Sequence, residues 1–319
     1  MRNIISIGLL LLATNCIGQL VKSDTKIHTE DIVNYWIAYD SILATHDETM
    51  QIKYMQTLYI DKASEGLKDF ISARNFTAKE WVSIINIAPK FWNSIRPKTL
   101  SIVKQTNEIN RLMTRFKQLY PSFKQPEIYF TIGCLRSGGT TAPDKILIGA
   151  EIATADSTVD ASEISSWLQG VFKLNTGILQ LVAHEAGHTQ QKETSENTLL
   201  LGNCIYEGSC DFIAELLLEY PYSSPYLTYG KNNEKRVFKK FEKSANEKDF
   251  SEWLSNGGNA PTGQADLGYY IGYEICKCYY ENAKNKADAF LKILTIDYTD
   301  NNAVNKFYEE TGYKEKFKN

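Results

Sequence analysis

Apolar side chains return every three or four positions from about residue 30 to residue 120, as in Ile32, Tyr35, Trp36 and Tyr39. Such spacing keeps one stripe of a 3.6-residue helix dry, so this third of the chain reads as a helical region. Thr77 with Glu80, just ahead of the apolar run from Trp81 to Ile87, has capping-box spacing and marks a helix start. Pro89, Pro97 and Pro121 are expected to punctuate the helices that follow, because proline removes a backbone donor and crowds the preceding turn. After Pro126 the period shortens. Residues 128–132 (IYFTI) and 145–151 (KILIGAE) read as two strands of a small sheet. SGGTT at 137–141 reads as a flexible turn between them, where the glycine pair either admits a ligand backbone or simply connects a hairpin. A polar stretch at 154–163 leads into a second helix-rich block, and the Asn- and Lys-rich residues 230–236 read as a solvated loop. The expected fold is therefore α+β, mostly α. A helical region (19–120) precedes a region (121–319) with the sheet and further helices, as separate units or one continuous domain.

The first eighteen residues stand apart: Arg2 gives a positive start, residues 4–13 an apolar run and residues 15–18 a small polar exit. This is the pattern of a signal peptide, and its apolar run is shorter than the ~20 residues a spanning helix needs. Cleavage after Gly18 releases a secreted protein; cleavage before Cys16 leaves a lipid anchor on that cysteine. Asn15 is an awkward residue to precede a lipidated cysteine, which favours secretion. Both routes lead out of the cytoplasm, to the periplasm, outer membrane or extracellular space, with the membrane touched only through Cys16. Setting Cys16 aside leaves Cys134, Cys204, Cys210, Cys276 and Cys278, an odd number with no metal-ribbon spacing, of which one or two pairs are compatible with an oxidising compartment.

Charge narrows the partners. With 35 Lys and Arg against 38 Asp and Glu, the formal net charge of -3 offers no field for phosphate backbones, and nucleic acid is excluded as an expected partner.

The segment TGILQLVAHEAGHTQQ, starting at Thr176, holds His184-Glu185-Ala186-Gly187-His188, an HExxH motif among only four histidines. A chance match from this composition is expected roughly once in three hundred such chains. Ile178, Leu179, Val182, Ala183 and Ala186 predict a buried helix, with Asn175 or Thr176 as its cap. Two imidazoles four positions apart share one face and can offer nitrogens to one ion, with Glu185 beside them as general base. Catalytic zinc takes three protein ligands and keeps a fourth position open. The metzincin pattern is excluded, because Gln191 and Thr194 occupy its glycine and histidine places. Downstream, Glu207 and Asp211 share a helical face, so one carboxylate can bind the metal while the other receives the spare N–H of a ligating histidine. Glu215 and Glu219 lie further along and read as helix-support or surface charges. His28 and His46 lack ligand spacing.

HEAGH followed by EGSCD resembles the gluzincin arrangement of thermolysin-like peptidases. That resemblance implies Glu207 as third ligand of Zn2+ and Asp211 as partner of His184. The chain is also similar to a bacterial family of predicted zinc-dependent proteases, and within it to Bacteroidetes envelope proteins related to a gliding-motility lipoprotein. The matching pieces are IYFTIG, SGGTT, ILIGAE, HEAGHTQQ, EGSCDFIAEL and LGYYIGYEI, and the likeness they carry extends over most of the mature chain. By analogy with other gluzincins, the strand at 146–151 would hold an extended substrate along a free edge. The expected activity is hydrolysis of peptide or protein substrates, as an endopeptidase or an aminopeptidase-type enzyme: zinc activates water and Glu185 takes its proton. Tyr269 is the expected donor to the developing oxyanion, with Tyr270 and Tyr273 as substitutes; all three also suit plain helix packing. The alternative is a cell-envelope accessory or scaffold protein for gliding motility or secretion, with a vestigial or structural metal site.

Overall fold

Helices dominate a computed structural model that describes residues 25–175, 177–257, 260 and 263–318. The signal peptide, Cys16 and Thr176 lie outside the described residues. In chain order the elements are β1 (Ile27–His28), α1 (Glu30–Leu43), α2 (Glu48–Leu58), α3 (Glu65–Arg74), α4 (Ala78–Ile87), α5 (Pro89–Leu100), α6 (Thr106–Leu119), β2 (Glu127–Thr131), β3 (Gly139–Ala142) and β4 (Lys145–Gly149). They continue with α7 (Ala150–Ala153), α8 (Ser166–Leu174), α9 (Ile178–His188), α10 (Leu200–Leu218), α11 (Pro225–Asn232), α12 (Glu234–Ser244), α13 (Leu267–Asn282), α14 (Lys286–Leu294) and α15 (Asn301–Thr311).

Local chemistry sets many of the helix starts. Asp47, Ser64 and Thr77 accept backbone N–H groups in the first turns of α2, α3 and α4, contacts worth about 0.5–2 kcal/mol each. Only half of the capping box at Thr77 forms, because the Glu80 carboxylate turns away to pair with Arg136 at 2.6 Å. Pro89 opens α5, but Pro97 lies inside that helix instead of breaking it. Pro97 is on the exposed side, where water can take up the carbonyl its missing N–H leaves unpaired. Residues 230–236 are not a solvated loop. They carry the end of α11 and the start of α12, joined at Asn233, and Gly230 is buried where a Cβ would lie 2.2 Å from the Tyr270 ring.

The sheet has the order β1-β2-β4-β3. β1 and β4 run parallel to β2, and only β3 is antiparallel, against β4. The two read strands are thus parallel neighbours, and SGGTT supplies an edge strand as well as a connection. Its hairpin is with β4, through Asp144 at φ 57°. β4 is central, so the expectation that it offers a free edge fails: both of its edges are paired, and β3 holds the outer position. Covered faces explain the unbroken apolar runs, with α1 and α3 packed on β2, and α3 and α9 on β4.

One buried cluster joins Tyr35, Trp81 and Trp92 to Ile148, Ile213 and Tyr273, and α6 packs on both α9 and α10, so residue 120 marks no seam in the core. All five described cysteines are buried and unpaired; none of the disulfides considered from the sequence forms among them.

Candidate metal centre

Three helices build the site. α9 packs on α10, and α10 on α13. Small residues permit both approaches: a Cβ on Gly187 would lie 2.8 Å from Cys210 Sγ, and one on Gly272 only 1.7 Å from the Cys204 carbonyl oxygen. Contacts that close exclude any side chain, so the glycine of HEAGH and the one in YYIGY fix how deeply the helices nest. α9 itself starts at Gly177 (φ 113°), not at a side-chain cap. Asn175 works outside the helix, accepting from Gly177 N at 2.9 Å and donating to the Ala153 and Ala155 carbonyls at 3.1 and 2.6 Å.

His184, His188 and Glu207 converge. His188 Nε2 is 3.1 Å from His184 Nε2 and 3.2 Å from Glu207 Oε2, and the third side of the triangle, His184 Nε2 to Glu207 Oε2, is 3.6 Å. Ligands about 2.0–2.1 Å from a tetrahedral zinc stand roughly 3.3–3.4 Å apart, so this triangle fits one face of that tetrahedron.

Proton positions follow from the outer partners. His184 Nδ1 lies 2.7 Å from Asp211 Oδ1, an acceptor-only carboxylate, so Nδ1 carries hydrogen and donates. Asp211 is fully buried and its other oxygen accepts from Tyr226 OH at 2.9 Å. His188 Nδ1 donates to Gln191 Oε1 at 2.9 Å. Gln191 is oriented because its Nε2 donates to Ser209 Oγ at 2.7 Å and to the Tyr206 carbonyl at 3.2 Å, while Cys210 Sγ donates to Oε1 at 3.2 Å. Both Nε2 lone pairs are thereby aimed at each other and at a carboxylate, an arrangement that repels unless a cation sits between them.

The titration behaviour expresses the same preference. Burial opposes charge on His184, but its hydrogen bonds to Asp211 and Glu207 outweigh that and raise its pKa well above the usual histidine range. Burial would raise Glu207, but the His188 and His184 imidazoles hold it well below the ordinary carboxylate range. The pocket favours positive charge at the shared corner, which a proton supplies or a metal replaces.

Glu185 differs from every other acid here. It is 6% exposed, and its carboxylate makes no hydrogen bond or ion pair to another described residue. Burial raises its pKa, and the two imidazoles offset this only in part. It faces β3, where a Cβ on Gly139 would lie 2.6 Å from Glu185 Oε1, so the second glycine of SGGTT is what leaves room for it. Both border a cleft of about 860 Å³, whose walls include His184, Arg74, Trp167, Asp266 and Tyr269.

The tyrosines of α13 separate cleanly. Tyr269 lines the cleft with its ring 6.2 Å from that of His184, and burial raises its pKa well above the usual value, keeping the hydroxyl a donor. Tyr270 and Tyr273 are buried in the core, and Tyr273 OH donates to Glu215 Oε2 at 2.6 Å, so neither can substitute. Glu215 also accepts from Lys277 and Tyr222 N, and Glu219 ends α10 and pairs with Arg115. His28 stacks on Tyr129, away from the site. Gln191 and Tyr226 have no role in the sequence reading, and Gly139 figures there only as half of a glycine pair that admits a ligand backbone or connects a hairpin. Gln191 lies just past the end of α9, in a turn where its N–H donates to the His188 carbonyl at 3.2 Å, so its nearness to His188 along the chain is the one signal for it.

No helix of the described residues is long and apolar enough to cross a membrane. No curated protein and no solved structure matches the chain. A family model does: the one described as Gliding motility protein GldB, a lipoprotein family, matches residues 37–315, from within α1 through β2, β3 and β4 and all three site helices. The chain therefore belongs to the gliding motility GldB family of envelope lipoproteins.

Proposed function

We propose that this member of the family is a zinc-dependent hydrolase of peptide bonds. The observation that carries this is the triangle of His184, His188 and Glu207 beside an uncommitted Glu185 in an open cleft. His184, His188 and Glu207 would hold the ion, with Asp211 and Gln191 fixing the two rings. Three protein ligands suit a catalytic site, whereas a structural zinc normally takes four. Zinc bound there supplies Lewis acidity, which polarises a carbonyl and acidifies water. Glu185 takes a proton at its carboxylate and returns it to the leaving amine. Tyr269 OH donates to the carbonyl oxygen as charge develops on it. The edge strand β3, beside Glu185, is the backbone on which an extended peptide would align, in place of β4.

Membership of a gliding-motility family favours a second reading, an envelope accessory protein whose metal centre is structural. The two separate in one assay. Zinc-loaded protein is incubated with a mixed peptide library, beside Glu185→Gln. Hydrolysis by the wild type, reduced about 10²- to 10⁴-fold in the variant, is expected of the peptidase. Zinc retained in both with cleavage by neither would leave the accessory protein.

A further inference from the structure

Arg74 is the last residue of α3, and Asn75 after it turns left-handed at φ 52°, ending the helix at the rim of the cleft. Its guanidinium reaches over the start of β3. Nε donates to Ser137 Oγ at 3.1 Å and Nη2 to the Gly139 carbonyl at 3.3 Å. Those two bonds use two of five donors. The side chain is half-buried, yet it forms no ion pair with any described residue. A half-buried guanidinium without a hydrogen-bonded carboxylate keeps N–H donors available to a ligand in the cleft.

Its neighbour has no such freedom. Arg136 lines the same end of the cleft but is held by Glu80, Nε to Oε1 at 2.6 Å and Nη2 to Oε2 at 3.2 Å, with its plane 5.0 Å over the Phe76 ring. Arg136 also donates Nη2 to the Arg74 carbonyl at 2.8 Å, which fixes the backbone from which Arg74 projects. Glu80 answers Arg136, whereas Arg74 has no hydrogen-bonded carboxylate and feels only the Glu185 charge across Gly139. Gly139 ties the Arg74 guanidinium to the chemistry, since its carbonyl accepts from Arg74 while its α-carbon abuts Glu185. The guanidinium and the general base thus flank a single residue of β3, a separation of roughly one to two residues of extended chain.

We infer that Arg74 binds a carboxylate of the substrate, one or two residues from the bond that is cut. The inference rests on the peptide-hydrolysis reading and narrows it to substrates that place a carboxylate there, from the chain's own C-terminus or from an Asp or Glu side chain. A planar carboxylate matches the geometry of the remaining N–H groups, and the partly desolvated site strengthens the pair.

The test measures binding, apart from turnover. Full-length, zinc-loaded Glu185→Gln protein is titrated with matched peptides, following the fluorescence of Trp167 and the other tryptophans. The set pairs a free C-terminus with its amide, and internal Asp or Glu with Asn or Gln. At least one acid is expected to bind roughly 10- to 100-fold more tightly than its amide. Which pair shows the difference identifies the source of the carboxylate. The preference should vanish in the Arg74→Gln background while amide peptides bind as before. Equal binding of acids and amides overturns the inference without any change at Arg74, and so does a preference that survives Arg74→Gln. Failure of every peptide to bind would instead overturn the peptidase reading beneath it.

Discussion

Glu151 and Glu207 are both acids taken largely out of water, and they have opposite fates. Glu151 sits under the aromatic first third of the fold, completely buried, with the Gly133 and Leu135 N–H groups at 2.9 and 3.3 Å and its own backbone N–H as partners. Burial, only partly offset by those bonds, raises its pKa to about 7. Glu207 faces two imidazoles, and these hold it below the normal carboxylate range despite burial. The same contrast extends to the neighbours. Tyr35 and Tyr39 in the first region have hydroxyls without a hydrogen-bond partner, packed among Trp36, Tyr59 and Trp92 rings. Around α9 and α10, His184, His188 and Asp211 have every outer polar atom paired. Ring packing around Tyr35 and Tyr39 leaves two hydroxyls without partners, whereas around the two imidazoles hydrogen bonds hold charge in place.

The largest expected break in that contrast is at Glu151. Its folded pKa is raised above the unfolded value of 4.5, so the neutral acid is the favoured folded form. Its contribution to stability is complete below about pH 4.5 and is lost as pH rises through 7, a swing of roughly 3 kcal/mol. Urea unfolding between pH 5 and 8 should show this decline, and Glu151→Gln should flatten it. An equal slope in both proteins would mean the carboxyl is already ionised in the fold.

Next come the partners of the two imidazoles. Asp211→Asn replaces a charge-assisted hydrogen bond with a neutral one and should weaken zinc binding about 10- to 100-fold. Gln191→Ala removes a neutral partner and should cost less; competition against a chromogenic chelator gives both values. The reverse order would place the greater constraint on His188. The smallest effect belongs to the aromatic region: Tyr35→Phe removes a hydroxyl without a partner and should leave the unfolding free energy unchanged or raised by up to about 1 kcal/mol. A loss above that range in denaturant unfolding would reveal a partner for the hydroxyl.

Helical periodicity and the HExxH spacing made α9, α10 and the converging side chains legible, because both depend on neighbours within one or two turns. The sheet was less so. Unbroken apolar runs mark buried strands but carry no pairing information, so nothing in the sequence checks the gluzincin analogy that makes β4 an edge, whereas β2 and β3 flank it; the two-residue β1 gives no periodic signal at all. Pro97 was expected to end a helix, and only its exposed placement explains why it does not. Gly139 and Arg74 acquire meaning only when α3 and β3 meet at the cleft, a contact between segments far apart in sequence.

Zinc affinity of the wild type, Glu207→Ala and Glu215→Ala measured side by side tests the centre most directly. About one ion per chain is expected in the wild type, with more than 100-fold weaker binding for Glu207→Ala, a loss beyond that of an outer partner, and no change for Glu215→Ala. Equal affinity in wild type and Glu207→Ala, or loss at Glu215 instead, would contradict a centre built from His184, His188 and Glu207.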